Sequence, residues 1–433
     1  MSAPPHEVVP RKRCYNLFIV DERDNLFTDY FSLYRSPPFS YRTRNPMNNS
    51  AAKVHAEALV IDGHADTPQR FLDEGWNFTD PLNGGMLAYD AAMQGGLNAQ
   101  FFAMWVDPEH HPAEHSARRT FELLDATLEQ VRRAPDRLAL CTTADEIVTA
   151  HRAGKFCVLL GIEGGHSIEN SLGLLRCYYR LGVRYMTLTW ANSNDWADSS
   201  GDLSNPAVRH HNGLTDFGRD VIREMNRLGM MVDVSHVSDK TFWDVLETTS
   251  APIIASHSSA RSVTPAMRNL TDDMMRAIAT NNGIVMANFY PAFIDDQWRI
   301  SWNALRIERL EEQEALKTEY RAKGVPVPFF ASNRIDRKFA ARIPRAPLRS
   351  LIDHFDHIIQ VAGIDHVGIG SDFDGIAHTP EGIDSAADLP RITEELMTRG
   401  YSAEDMQKLL GQNLLRVFRD IATVSERPQI TEP

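Results

Sequence analysis

From residue 58 onward, short apolar runs of five to nine residues alternate with longer segments of helical period. The runs are LVIDG (59–63), NAQFFAMWV (98–106), FCVLLGI (156–162), YMTLT (185–189), MMVDVS (230–235), PIIAS (252–256), GIVMANF (283–289) and HVGIGS (366–371). A short continuous apolar run bounded by polar or turn residues fits a strand buried on both faces, as in a parallel sheet. The segments between them carry helix punctuation. TDFGRDVIREMNRLG opens on the N-cap candidate Thr215 and closes on Gly229 at a C′ position. SDKTFWDVLETTS opens on Ser238, and TDDMMRAIATNNG opens on Thr271 with acidic residues where the helix dipole favours them. Eight strands alternating with helices predict an α/β fold of the (β/α)₈ TIM-type barrel. A doubly wound open sheet would place a glycine-rich turn after the first strand, and DGHADTP is not one.

The barrel is expected over 55–425, which exceeds the ~250 residues of a typical barrel, so helical insertions are expected too. One spans about 107–155 and looks helical. The other, 291–345, contains ALRIERLEEQEALKTEYRAKG and reads either as a solvated helical excursion or as a lid over the barrel mouth. Residues 1–54 lack a sustained period and read as an N-terminal extension.

Composition narrows the class. Hydrophobic residues make up 43% and charged residues 24%, as in a globular enzyme. A net charge of -13 argues against nucleic acid or an anionic membrane as partner. No run approaches the ~18 apolar residues of a membrane span, and the N-terminus does not read as a secretory signal. Cys14, Cys141, Cys157 and Cys177 form no CxxC pair. Buried thiols in a reducing compartment, the cytoplasm of a bacterium, are the simplest expectation.

The ends of the apolar runs carry the chemistry. His64 and Asp66 close the first run, Glu163 the third, His236 the fifth and His257 the sixth. Residues i and i+2 at a strand end project to one side, so His64 and Asp66 can reach one ion. A carboxylate ending so apolar a run as CVLLGI is costly unless paired with a cation. Glu163 can give one oxygen to each of two ions. His166 is as well explained by a structural hydrogen bond as by ligation. Imidazole with carboxylate suits Zn²⁺ or similar ions. Asp372 ends the last run; it could bind an ion or take a proton from attacking water, with Asp374 as competitor. Of Arg261 and Arg268, Arg268 is the better candidate for holding a substrate carboxylate.

Eight motifs occur in order: DGHAD, GIEGGHS, LTW through NDWADS, DVSH, ASHSSAR, RNLTDD, ANFYP and GIGSDFDGI. Together they resemble the membrane (renal) dipeptidase family of amidohydrolase-like binuclear zinc peptidases, in a bacterial-type member, over roughly residues 55–420. The resemblance implies two Zn²⁺ per chain. His64, Asp66 and Glu163 would hold one, and Glu163, His236 and His257 the other, with a hydroxide between them. It implies Asp372 as catalytic acid/base, Arg268 as receptor of the substrate's C-terminal carboxylate and Tyr290 as a substrate neighbour. It also implies dipeptide substrates, tolerance of a D-residue on the C-terminal side, and a homodimer.

One position departs from the family pattern. Where relatives carry a histidine in an LTH motif that touches the substrate carbonyl, this chain has Trp190. Loss of one such donor costs about 10²–10³ in kcat. Asn192 or Asn194 could supply a replacement, or the substrate preference has shifted. Two alternatives to a dipeptidase follow. One is a hydrolase of N-acyl amino acids, lactones or cyclic amides on the same centre. The other is a metal-stabilised barrel that binds a partner.

Overall fold

The computed structural model describes residues 49–109, 115–325 and 327–425. Most of the expected extension 1–54 lies outside them. Residues from Asn49 onward already belong to the body, in the helix Asn49–Glu57. Its His55 hydrogen-bonds Thr393 Oγ1 through Nδ1 at 2.7 Å and the Gly95 carbonyl through Nε2 at 2.8 Å.

Among the described residues nine strands form: β1 Val60–Ala65, β2 Leu97–Trp105, β3 Leu138–Leu140, β4 Phe156–Glu163, β5 Val183–Thr187, β6 Met231–Asp233, β7 Ile253–Ala255, β8 Ile284–Asn288 and β9 Val367–Gly370. All neighbours pair in parallel. β1, β2, β4, β5, β6, β7, β8 and β9 follow one another, and β9 returns to β1. The result is a closed eight-stranded barrel of the TIM type. The eight apolar runs are its eight staves. β3 is extra: it extends the edge of β4 ahead of β5, with Leu138 opposite Phe156. So the 107–155 segment is helical at Ser116–Arg133 and Ala144–Arg152, with a three-residue strand between. Three residues are too short a run for periodicity to reveal.

Helix boundaries follow from local chemistry. Thr215, Ser238 and Thr271 each accept a hydrogen bond from the backbone N–H three residues on, at Gly218, Thr241 and Met274. Gly229 ends its helix in the left-handed conformation at φ 80°. The 291–345 segment is helical at Pro291–Ile294, Asp296–Ala304, Arg306–Lys323 and Phe329–Ala340. Among the described residues no helix is long and apolar enough to cross a membrane.

Two apolar layers hold the barrel. The outer one packs Phe102, Leu160, Met186, Val232, Ile253 and Val285 with the surrounding helices. The inner one packs Ile61, Phe101, Leu159, Tyr185, Met231, Ile254 and Met286 with residues of the helix Asn413–Val424. Because side chains alternate along a strand, the inner series continues upward on β4 to Gly161 and Glu163, on β6 to Asp233 and on β8 to Asn288. The same alternation that fills the core therefore delivers polar side chains to the C-terminal rim.

Gly161 links core to rim. A Cβ there would lie 2.3 Å from the Tyr185 ring, and the Tyr185 hydroxyl holds His64 Nδ1 at 2.9 Å. Gly161→Ala should therefore destabilise the fold by about 1–3 kcal/mol through overpacking, read from the denaturant midpoint. An unchanged midpoint would show that Tyr185 has room to move.

Candidate metal centre

Six side chains converge inside the C-terminal rim. Glu163 Oε1 lies 2.9 Å from His236 Nε2 and 3.3 Å from His257 Nε2. Its Oε2 lies 3.5 Å from His64 Nε2, which is 3.4 Å from Asp66 Oδ2. The rings of His64 and His257 stack with centroids 3.8 Å apart. His64, Glu163 and His257 offer ligand atoms within 4.8 Å of one another, and so do His64, Asp66 and Asp372. His64 belongs to both sets, and Glu163 stands between His64 on one oxygen and the His236–His257 pair on the other. This is the arrangement that two cation sites sharing one carboxylate would use.

The surroundings decide which imidazole nitrogen is free. Ser256 Oγ donates to Asp233 Oδ2 at 2.6 Å, so it accepts from His257 Nδ1 at 2.7 Å. That tautomer leaves the His257 Nε2 lone pair pointing at Glu163. The Tyr185 hydroxyl pairs with His64 Nδ1 at 2.9 Å, which turns the His64 Nε2 edge toward Glu163 and Asp66. Asp233 also accepts from Thr187 Oγ1 at 2.5 Å and from the Ser235 and Ser256 N–H groups. Asp62 plays the corresponding part between β1 and β9, accepting the Ser371 N–H at 2.8 Å and the Ser371 hydroxyl. Such partners fix ligand orientation.

Electrostatics ask for cations. Burial, with Glu163 and Asp374 nearby, pushes the Asp66 carboxyl up to about 6. Burial, reinforced by Asp66 and Glu163, pushes Asp372 up to about 8. Burial works the same way on Glu163, but His64, His236 and His257 outweigh it and hold that carboxyl well below its ordinary range. Burial and then Arg268 push His236 down to about 4, so its imidazole stays neutral and able to donate a lone pair. His64 Nε2 and Asp66 Oδ1 are buried without a hydrogen-bond partner. Buried polar atoms are seldom left so. An oxygen and nitrogen donor set without thiolate fits divalent zinc-like ions.

The backbone is bent to place these groups. His236 and Asp372 have φ of 69° and 63°. Side-chain-bearing residues reach that region at a cost of ~1–3 kcal/mol each, which the surrounding structure must over-determine. Here the Asp372 N–H bonds the His64 carbonyl at 3.1 Å, and the His236 carbonyl accepts from the Ser200 N–H at 2.8 Å.

The remaining expected residues are distributed unevenly. Asp372 lines the cavity, with Oδ2 accepting from Asn288 Nδ2 at 3.0 Å. Asp374 instead accepts from Thr67 Oγ1 and the Met86 N–H, at 2.7 and 2.6 Å, which ties loops together. His166 bonds the Val106 carbonyl at 2.8 Å. Arg261 forks onto Asp239 with two 2.7 Å bonds. Arg268 is half-buried, donating to Ser258 Oγ at 2.6 Å and the His257 carbonyl at 2.8 Å. Those bonds use two of its five N–H donors, and it does not border the cavity. Tyr290 and Trp190 do border it; Asn192 does not. The amide of Asn194 is spent on its own loop, bonding the Leu188 carbonyl and the Trp196 and Ala197 N–H groups.

The cavity holds about 540 Å³ and opens beneath the 291–345 helices, which bring Arg309, Gln313, Phe329 and Asp336 to its edge. Sequence reasoning did not single out Tyr185, Ser256, Asn288, Asp62 or Asp233. The last two had left a trace, as acids interrupting the apolar runs LVID and MMVD.

Comparison with known proteins agrees with this geometry. Residues 48–432 match the model of the membrane dipeptidase family, peptidase family M19. Human Dipeptidase 3 is 32% identical over 379 residues, covering 86% of this chain and 67% of the human protein. The crystal structure of the probable dipeptidase PvdM from Pseudomonas aeruginosa superposes with a TM-score of 0.73 at 25% identity, covering 87% of this chain and 98% of that one. A metallopeptidase from Rhodobacter sphaeroides, solved with a phosphinate mimic of L-Ala-D-Ala, gives a TM-score of 0.67 at 26% identity, covering 84% and 99%.

Tyr185→Phe removes only the hydroxyl that orients His64. Loss of such an outer partner should weaken metal affinity about 10–100-fold with the fold intact, as read by competition with a chelator. Unchanged affinity would show that the Tyr185 contact does not position the ligand.

Proposed function

We propose that this chain, which belongs to the membrane dipeptidase family of metallopeptidases, hydrolyses dipeptides at a centre of two zinc ions bridged by Glu163. One ion would be held by His64, Asp66 and Glu163, the other by Glu163, His236 and His257. The observation that carries this reading is Glu163 itself, with one oxygen facing His64 and the other facing both remaining imidazoles. When bound, such ions polarise a carbonyl and supply a nucleophile at neutral pH.

The protein's own groups do the rest. Asp372 stands at the cavity wall beside His64 and Asp66, with one oxygen fixed by Asn288. Its other oxygen would take the proton of the attacking water and return it to the leaving amine. Its raised proton affinity suits a group that must hold that proton between steps. Arg268, with Tyr290 on the cavity wall, would anchor the free carboxylate of the substrate and so select molecules two residues long. The Rhodobacter relative binds an L-Ala-D-Ala mimic, which supports including dipeptides with a D-residue on the C-terminal side. A homodimer is carried over from the family resemblance.

A second reading, hydrolysis of N-acyl amino acids or lactones by the same residues, is favoured by one observation. Trp190 occupies a position on the cavity wall that relatives give to a histidine, and neither Asn192 nor a free Asn194 amide stands there in its place.

Zinc-loaded protein should release amino acids from a panel of L,L and L,D dipeptides. Asp372→Asn should lower kcat about 10²–10⁴-fold with zinc content unchanged. Turnover of acyl amino acids or lactones but of no dipeptide would replace the first reading with the second.

A further inference from the structure

The cavity has two unlike walls. β8 and β4 lie four staves apart in the closed order, hence on opposite sides of the barrel. The β8 side presents Tyr290 with Arg309, Gln313 and Asp336, a polar group in which Asp336 Oδ1 accepts from Gln313 at 2.9 Å and Arg309 at 3.3 Å. The β4 side is aromatic. Trp105 ends β2 directly opposite Glu163 in the strand register. Trp190 follows β5, and its ring meets Trp105 edge-on with centroids 4.8 Å apart. Phe329, from the insertion, meets Trp105 at 5.6 Å in the same T-shaped manner.

Three separate segments thus build one surface, and a hydrogen-bond chain holds it. The Phe329 N–H bonds Asp73 Oδ2 at 3.3 Å, and Arg119 binds Asp73 Oδ1 at 2.8 Å. Arg119 also donates to Gln69 Oε1 at 3.0 Å, and Gln69 Nε2 donates to the Trp105 carbonyl at 2.7 Å. The insertion is therefore fastened to the rim so that Phe329 completes the aromatic wall. The wall reaches the metal ligands, since the Trp190 and His236 rings lie 6.5 Å apart. The indole N–H of Trp105 is buried with no hydrogen-bond partner.

We infer that the Trp105–Trp190–Phe329 wall receives a bulky apolar or aromatic side chain on the amino-terminal residue of the dipeptide, and that this makes Phe329 and Trp190 specificity-determining residues. The inference rests on the dipeptidase reading. If the substrate carboxylate lies toward Arg268 on the β7–β8 side, the acyl residue extends across the centre toward β4. Edge-to-face rings offer further apolar area and favour another ring or branched aliphatic chain. A cationic side chain would stack on the same faces, but Asp73 is paired with Arg119, Glu109 with Lys317 at 2.6 Å, and Asp107 Oδ1 accepts the Glu109 N–H at 2.8 Å. Apolar occupancy is therefore the better match.

The test is kcat/KM of the zinc-loaded full chain on L-Xaa-D-Ala, with Xaa as Phe, Leu, Ala or Lys. Phe and Leu should exceed Ala by about tenfold or more, the discrimination apolar pockets supply. Phe329→Ala should cut that ratio at least about threefold, mainly through KM, while Phe329→Leu keeps most of it. Zinc content and melting temperature of each variant establish that it is folded and loaded. A wild-type ratio near one, a ratio that Phe329→Ala leaves unmoved, or a preference for Lys would overturn the inference while leaving the dipeptidase reading intact. Hydrolysis of none of the four, nor of the matching L-Xaa-L-Ala dipeptides, would defeat the dipeptidase reading and the inference together.

Discussion

A buried carboxylate among three imidazoles is the constraint around which this molecule is arranged. Glu163 ends an apolar strand of the barrel and contacts His64, His236 and His257. An ionised carboxylate taken out of water is costly unless cations or donors surround it. Asp66 and Asp372 add two more acids at the same depth, and both are pushed toward protonation. Divalent cations would relieve all three at once, and burial already keeps the His236 and His257 imidazoles neutral, with lone pairs to donate.

The barrel serves this unit through the alternation of its strands. Inward positions are filled by Phe101, Leu159, Tyr185 and Met286 low in the core and become Trp105, Glu163, Thr187 and Asn288 at the rim. Glycine at 161 leaves space for Tyr185, and Tyr185 turns His64. Asp62 and Asp233 lock neighbouring strand ends by accepting from serines and backbone N–H groups. Core packing, strand register and ligand orientation are thus one structure, and a fault in the first propagates to the last.

Much of this was legible in the sequence, for physical reasons. Buried parallel strands must be apolar throughout, so all eight staves announced themselves, and the charged or imidazole residues at the ends of five of the runs stood out. Helix caps at Thr215, Ser238 and Thr271 depend on local chemistry alone and were equally readable. What escaped depends on contacts distant in sequence. β3 is three residues long and exists because β4 offers it an edge. Tyr185 and Ser256 look like core filling until their partners His64 and His257 are located. Arg268 reads as a free cation, yet it spends two donors on the His257 carbonyl and on Ser258. The meeting of Phe329 with Trp105, over two hundred residues apart, leaves no trace in either segment alone.

The central claim is that Glu163 joins two ion sites into one. The most direct test is metal content per folded chain, measured by elemental analysis after zinc loading and gel filtration, for the wild type and Glu163→Gln. The account predicts about two ions in the wild type and loss of both from the variant, since neither site keeps its full ligand set without the shared carboxylate. A wild type saturating at one ion, or a variant that retains two, would contradict it.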